Sequence, residues 1–127
     1  MNNTVERMLP LYEAKLIHHF DDRWATYEHT GSVRDVTLEE KQDAGFVVLP
    51  RYWIRLEVIA DRIGTTVPDL LYGYRWVARS TDERTLIASG FPMAAAGNSL
   101  PVLVEGLRND LLISLLSTYP CDYIARQ

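Results

Sequence analysis

Residues 70–91, LLYGYRWVARSTDERTLIASGF, decide the fold that this sequence predicts. Two runs rich in aromatic and β-branched residues flank the polar tetrad STDE (80–83), a pattern typical of a β-hairpin. With a turn centred on the second and third residues of that tetrad, Arg79 lies directly opposite Arg84, and Arg75 shares a face with Arg79. Like charges that face each other across two strands are destabilising, so the sequence predicts a compensating group.

Two kinds of group can compensate the arginine pair. The structural alternative is a carboxylate, from Asp82, Glu83 or elsewhere in the chain, that neutralises the two guanidinium groups. The functional alternative is a phosphate or the edge of a guanine, which a guanidinium group binds bidentately. The sequence leaves both alternatives open, although surface ion pairs are common in proteins.

Around the hairpin, the sequence predicts an α+β fold with a small mixed or antiparallel sheet and a C-terminal core helix at about 104–119. The helix is indicated by one stripe of large side chains at helical spacing, and Pro120 ends it. The stripe consists of Leu107, Leu111, Leu115 and Tyr119. We expect residues 1–127 to form a single domain or domain fragment, with a flexible start at 1–8.

Shorter signals predict the remaining elements. They indicate a strand at 23–27, a strand at 46–54 interrupted by Pro50, a helix at 55–63 ended by Gly64, and a short strand at 100–103. Thr37 followed three residues later by Glu40 predicts a capping box, and hence one helical turn in an otherwise irregular stretch at 33–45.

The composition is that of an ordinary globular protein, with 47% hydrophobic and 24% charged residues in a chain of 127. The 13 basic and 17 acidic residues give a net charge of −4, so contact with any nucleic acid requires a local basic face. Cys121 is the only cysteine, which fits a reducing compartment. No apolar run is long enough to span a membrane and the first residues lack a signal-peptide core, so we expect a cytoplasmic protein without a membrane partner.

Motifs for catalysis or cofactor binding are absent from the sequence. No GxGxxG, Walker or GxSxG pattern occurs, so we expect no catalytic residue and no bound cofactor in this chain. The string HHFDDRWATYEH (18–29) raises the alternative of a metal-dependent hydrolase or nuclease. Adjacent histidines point apart in a helix and in a strand, and no HExxH pair occurs, so the spacing argues against a metal site.

Several strings in this order and spacing point to a family. They are LPLYEAKLIHHFDDRWATYE (9–28), VLPRYW (48–53), ARSTDERTLIASGFP (78–92), GNSLPVL (97–103) and DYIARQ (122–127). Together they resemble the C-terminal half of large bacterial adenine-specific DNA methyltransferases of the fused restriction-modification type with a TaqI-like specificity domain. Similar enzymes occur in the phage-defence systems BREX and DISARM.

The resemblance implies a parent enzyme that flips an adenine out of DNA and methylates its exocyclic amine, N6, with S-adenosylmethionine. The catalytic half of such an enzyme has a glycine-containing cofactor loop and an Asn-Pro-Pro-Tyr/Phe motif. No Asn-Pro pair occurs in this sequence, so we expect those functions in the parent's catalytic methyltransferase domain, which becomes a partner of this chain. Family members continue after ARQ with a string resembling KxGGxHLNxFxxKQLPV, so we also expect this chain to be a fragment.

The resemblance further implies that this segment helps the parent recognise its target on double-stranded DNA. The first expected contacts are Arg75, Arg79 and Arg84, and the secondary ones are Lys15 and Arg23. The family commonly reads STNERT where this chain has Asp82, whose carboxylate would repel a phosphate, which argues against contact at the turn tip.

The alternative function is a structural or interaction module that packs on the methyltransferase core or on a partner subunit without contacting DNA. The net charge of −4 favours this alternative.

Overall fold

The fold combines short helices with small sheets, which confirms the predicted α+β class. A computed structural model describes residues 6–64, 68–79, 81–103 and 109–127. The strands are β1 (Met8–Tyr12), β2 (Ala25–Tyr27), β3 (Val33–Asp35), β4 (Trp53–Arg55), β5 (Leu70–Tyr74), β6 (Ala88–Pro92), β7 (Ala95–Ala96) and β8 (Val102–Leu103). The helices are α1 (Leu38–Gln42), α2 (Leu56–Ile63), α3 (Asn109–Leu116) and α4 (Tyr119–Ala125), with a 3-10 helix at Ala14–Leu16.

The described strands form three small sheets, in the orders β4-β1-β7, β2-β3 and β6-β5-β8. A shared apolar core lies between them, and its most buried large side chains are Phe91, Leu16, Ile17 and Leu100. The ring of Phe91 stacks on Tyr12 of β1 with 5.3 Å between centroids, which connects the hairpin to the first sheet.

The predicted hairpin is present, but its register differs from the predicted one by one residue. Strands β5 and β6 pair from Leu70 opposite Pro92 to Tyr74 opposite Ala88, with Leu71 opposite Phe91, and the loop at 75–87 connects them. The predicted pairing of Arg79 with Arg84 is therefore wrong. A slip of one residue would turn the buried Leu71 and Phe91 away from the core, so their burial sets the register.

The strand at 23–27 is confirmed as β2, whereas the strand predicted at 46–49 is absent. Leu49 accepts a hydrogen bond from the Tyr27 N–H, but its own N–H donates to the Thr26 hydroxyl rather than to a backbone carbonyl. This side-chain contact replaces a ladder hydrogen bond, so no regular pairing develops before Pro50. The chain pairs only after that proline, where β4 lies antiparallel to β1.

Two local helix signals are confirmed. The Thr37 hydroxyl and the Glu40 carboxylate form both halves of the predicted capping box at the start of α1. Helix α2 ends at Gly64, which adopts a positive φ of 75° as the left-handed C-cap.

Strand β3 was not predicted, and it occupies part of the stretch expected to be irregular. Met8 of the segment expected to be flexible pairs with Arg55, and residues 1–5 lie outside the described part.

The prediction of a single C-terminal core helix is wrong in two respects: which side of the helix is buried, and where the helix ends. The chain forms α3 and α4 instead, and Pro120 lies in the first turn of α4, where a missing N–H is tolerated. The predicted core residues Leu111, Leu115 and Tyr119 are 59%, 55% and 74% exposed. Ile113, on the opposite side of α3, is buried instead. The first part of the predicted helix, at 104–108, lies outside the described residues.

Candidate functional site

Arg75, the first predicted DNA contact, has its guanidinium group turned into the protein. Its Nε and Nη2 atoms donate hydrogen bonds to the carbonyl oxygen of Ile17 at 3.1 and 2.5 Å. Burial lowers the pKa of Arg75, as expected for a cation removed from water. The side chain therefore connects the start of the 75–87 loop to the fully buried Ile17.

Arg84 is also used internally. Its Nη2 atom donates to the carbonyl oxygen of Ser117 at 2.7 Å, and its Nε atom lies 3.4 Å from an Asp122 carboxylate oxygen. The guanidinium carbon lies 4.5 Å from the centre of the Tyr119 ring, a cation–π contact. Asp122 is thus the compensating carboxylate, and the structural alternative applies to Arg84.

Asp122 organises a clamp between α4 and the 75–87 loop. One carboxylate oxygen accepts hydrogen bonds from the N–H groups of Thr85 and Leu86, both at 2.8 Å. Burial alone would raise the pKa of Asp122, but the hydrogen bonds from Leu86 and Thr85 and the guanidinium group of Arg84 outweigh it and lower the pKa. Arg126 lies 3.5 Å from the other carboxylate oxygen.

Arg126 completes this clamp from one turn further along α4. It donates to the Thr85 hydroxyl at 2.9 Å and to the carbonyl oxygens of Asp82 and Glu83 at 3.1 and 3.0 Å. Sequence reasoning missed this role. The available signal was the acid–base pair four residues apart in DYIARQ, a spacing at which two helical side chains meet.

The secondary DNA-contact candidates are also engaged within the fold. Arg23 donates to the carbonyl oxygens of Lys41 and Asp43 at 2.6 and 3.0 Å, and so caps the C-terminal end of α1. The Lys15 ammonium group lies 4.9 Å from the centre of the Tyr27 ring.

Arg79 differs from the other predicted contacts. Its side chain is exposed, and its guanidinium group has no hydrogen-bond or ion-pair partner among the described residues. The backbone around it is ordered by Asp82, whose carboxylate accepts the Arg79 N–H at 2.9 Å. Trp76 and Val77, earlier in the same loop, are also exposed. The loop thus presents one free cation next to apolar side chains.

A second exposed feature is the turn His18–Asp21, which we call the Phe20 turn. His18 and Asp21 exchange backbone hydrogen bonds at 2.8 and 3.1 Å, so His19 and Phe20 form its two-residue tip. Phe20 has a positive φ of 54°, and its side chain is 71% exposed. No glycine or asparagine in the sequence marks this left-handed position, so sequence reasoning did not detect it.

The histidines of this turn pack against aromatic side chains. The ring of His18 lies 4.4 Å from that of Trp24, and His19 contacts His18 edge to face. Burial lowers the pKa of both, helped by Arg75 at His18 and by Arg84 at His19. Neither ring nitrogen of His19 has a hydrogen-bond partner within the described part of the chain. The described residues contain no group of three or more metal-ligating side chains close enough to hold a metal ion.

A third feature is a set of exposed apolar and aromatic side chains on α3 and α4, which we call the C-terminal face. It consists of Leu111, Leu112, Leu115, Tyr119, Tyr123 and Ile124, all exposed. The clamp around Asp122 holds α4, and with it this face, against the 75–87 loop.

An apolar groove of about 450 Å³ lies between α2 and the strands β1 and β7. Its walls include Ile54, Ile59 and Leu71, and Arg62 is the one charged residue among the described residues that line it. A groove with so few convergent polar groups lacks the means to orient a substrate. It therefore does not form a candidate active site.

In comparisons with protein families, curated proteins and solved structures, no family model, protein or structure matched this chain. None of the helices in the described ranges is long and apolar enough to cross a membrane.

Proposed function

We propose that this chain is a non-catalytic interaction segment of an S-adenosylmethionine-dependent, adenine-specific DNA methyltransferase. In this proposal it packs against the catalytic methyltransferase domain through the C-terminal face. The observation that carries the proposal is the exposure of Leu111 and Leu115 on α3 and of Tyr119 on α4, large side chains of a kind that amphipathic helices normally bury. The identity of the parent enzyme rests on the resemblance of the sequence strings.

The composition of the C-terminal face supports a protein partner. Its members are leucine, isoleucine and tyrosine residues on two successive helices. Groups of exposed large apolar side chains mark interaction sites, and tyrosine is enriched at the centre of interfaces. Because the Asp122 clamp fixes α4, the face loses little conformational freedom when a partner binds.

The choice of the catalytic domain as partner follows from the proposed parent. In such an enzyme the segment and the catalytic domain belong to one polypeptide, so each is present near the other at a high effective concentration. A modest apolar face is then sufficient to hold them together. The internal use of Arg75 and Arg84 favours this function over one in which the hairpin arginines bind DNA.

The proposal is tested with Leu115→Asp in the full-length protein that carries this chain. We expect methylation of adenine in DNA by S-adenosylmethionine to fall at least about tenfold, because a buried aspartate at the interface costs more than about 1.4 kcal/mol. The matched control is Leu38→Asp, since Leu38 is 70% exposed and lies on α1, which is not one of the helices of the C-terminal face. Equal activity of the two variants would contradict the proposal.

A second proposed function is recognition of double-stranded DNA by the 75–87 loop, within the same parent enzyme. Arg79 favours it, because its guanidinium group is exposed and without a partner in the described ranges. The exposed Trp76 nearby adds an aromatic surface. An arginine in this situation serves either as a phosphate clamp, which fixes register, or as a reader of guanine.

This second function is tested with Arg79→Ala and the salt dependence of DNA binding. Loss of one phosphate contact is expected to weaken binding and to reduce the slope of log K against log salt by about one. Arg62→Ala is the matched control, because Arg62 is an exposed arginine on α2. An unchanged slope and affinity for Arg79→Ala would rule out DNA contact at this residue.

A further inference from the structure

Helix α4 is attached to the rest of the fold mainly through polar contacts. Its seven residues are all described, and Asp122 is the one among them that is buried. Helix α3, by contrast, buries the apolar side chain of Ile113. A helix as short as α4 is marginally stable by itself, and packing of an apolar face is what usually holds such a helix in place. The position of α4 therefore depends on the contacts of Asp122 and of Arg126 at its C-terminal end.

These two side chains bind the backbone of residues 82–86, which belong to no helix or strand. The Asp122 carboxylate accepts hydrogen bonds from two N–H groups of this segment, both at 2.8 Å. Arg126 donates to two of its carbonyl oxygens, at 3.1 and 3.0 Å. The four backbone groups belong, in that order, to Thr85, Leu86, Asp82 and Glu83. Because all four hydrogen bonds start from one end of the chain, displacement of α4 breaks them together.

Helix α4 is also connected to both surfaces for which a function is proposed. Three of its exposed side chains belong to the C-terminal face. On the other side, the segment 82–86 orders the backbone of Arg79, whose N–H donates to the Asp82 carboxylate at 2.9 Å. A contact that fixes α4 therefore also fixes the segment to which Arg79 is bound, and by thermodynamic linkage the reverse holds.

We propose that α4 is a detachable strap for residues 82–86: helix and segment open together, while the three sheets stay intact. Regions that bury few apolar side chains open at a lower free energy than the rest of a fold, and they open as contiguous units. The opening itself depends only on contacts within this chain. Its use in regulation rests on the proposed functions, since a catalytic domain bound to the C-terminal face would keep the strap closed and Arg79 in place.

The experiment measures hydrogen exchange by mass spectrometry in the full-length protein, with Arg126→Ala and the control Arg62→Ala. Both arginines are exposed, so neither substitution disturbs the core. In Arg126→Ala we expect about tenfold faster exchange in the peptide that contains α4 and in the peptide that contains Thr85 and Leu86, because hydrogen bonds from a charged group are lost. The peptide that contains β1 should exchange as in the wild type, and Arg62→Ala should change none of the three.

Three results would overturn the strap. Faster exchange in only one of the first two peptides would mean that helix and segment do not open together. An equal acceleration in the β1 peptide would mean that the whole fold opens instead. Exchange in Arg126→Ala no faster than in Arg62→Ala would mean that the contacts of Arg126 do not hold the strap.

Leu115→Asp separates the strap from the proposed packing on the catalytic domain. If the C-terminal face is covered by that domain, this variant should also accelerate exchange in α4 and in the segment 82–86, because the partner no longer keeps the strap closed. No acceleration in Leu115→Asp, with acceleration in Arg126→Ala, would contradict the packing and leave the strap standing. No effect of Arg126→Ala, with loss of methylation in Leu115→Asp, would overturn the strap and leave the packing standing.

Discussion

The Phe20 turn and the C-terminal face both expose large apolar side chains, but they do so in different ways. The turn presents one aromatic ring on a backbone with a positive φ, surrounded by polar and charged groups. The C-terminal face presents six side chains on regular helices without unusual backbone geometry. A single ring offers little apolar area, whereas six large side chains on two successive helices offer enough for another protein surface.

Arginine residues support both surfaces. Arg75 holds the segment before the Phe20 turn, and Arg84 and Arg126 hold α4 against the 75–87 loop. Arg75 and Arg84, two of the residues that the sequence suggested as DNA contacts, therefore position other exposed groups, whereas Arg79 does not. The comparison indicates that the function of a guanidinium group depends on which carbonyl or carboxylate it reaches within the fold.

The largest effect is expected from Asp122→Ala, which removes the centre of the clamp behind the C-terminal face. The substitution leaves the Arg84 charge and two backbone N–H groups without their partner. We expect the free energy of unfolding to fall by about 3 kcal/mol, as measured by urea denaturation. Asp61→Ala on the exposed side of α2 serves as the control. A loss no larger than that of the control would mean that the clamp does not stabilise α4.

Arg75→Ala, which removes a support of the Phe20 turn, is expected to have a smaller effect on stability. The Ile17 carbonyl loses both of its guanidinium donors, so we expect a loss of about 1.5 kcal/mol in the free energy of unfolding. Arg79→Ala should change stability by less than about 0.5 kcal/mol, because its side chain is exposed. Equal effects of the two substitutions on stability would remove the distinction between a supporting and a free arginine.

The smallest expected effect is that of pH on the stability of the fold, and it arises from the histidines of the Phe20 turn. Burial, with Arg75 at His18 and Arg84 at His19, lowers both pKa values in the folded protein, so the unfolded chain takes up protons first. Stability should therefore be complete above about pH 6.5 and should fall as the pH is lowered from there. The urea midpoint of the double variant His18→Gln/His19→Gln should depend less on pH than that of the wild type. The variant His29→Gln, at an exposed site, should depend on pH as the wild type does. Identical pH profiles for all of them would disprove this coupling.

Local signals predicted part of the fold from the sequence alone. The capping box at Thr37, the end of α2 at Gly64 and the strands of the hairpin each depend on residues close together in the chain. The facing of α3 could not be predicted in this way. The leucines of α3 have the same spacing whether they pack in the core of the protein or bind another protein.

The candidate site was harder to predict because its contacts are distant in sequence. Arg75 reaches a carbonyl 58 residues away, and Arg84 one 33 residues away. The hairpin pattern contains no information on either partner. Phe20 gave no signal at all, since the residues around it lack the glycine or asparagine that usually marks a positive φ.

The central claim, that the C-terminal face packs on the catalytic methyltransferase domain, is tested most directly by photocrosslinking. Benzoylphenylalanine is placed at position 115 of the full-length protein, and in the control at position 38, and the crosslinked peptides are identified by mass spectrometry. The account predicts crosslinks from position 115 to the domain that contains the Asn-Pro-Pro-Tyr/Phe motif, and none from position 38. Position 115 crosslinking no more than position 38 would contradict it.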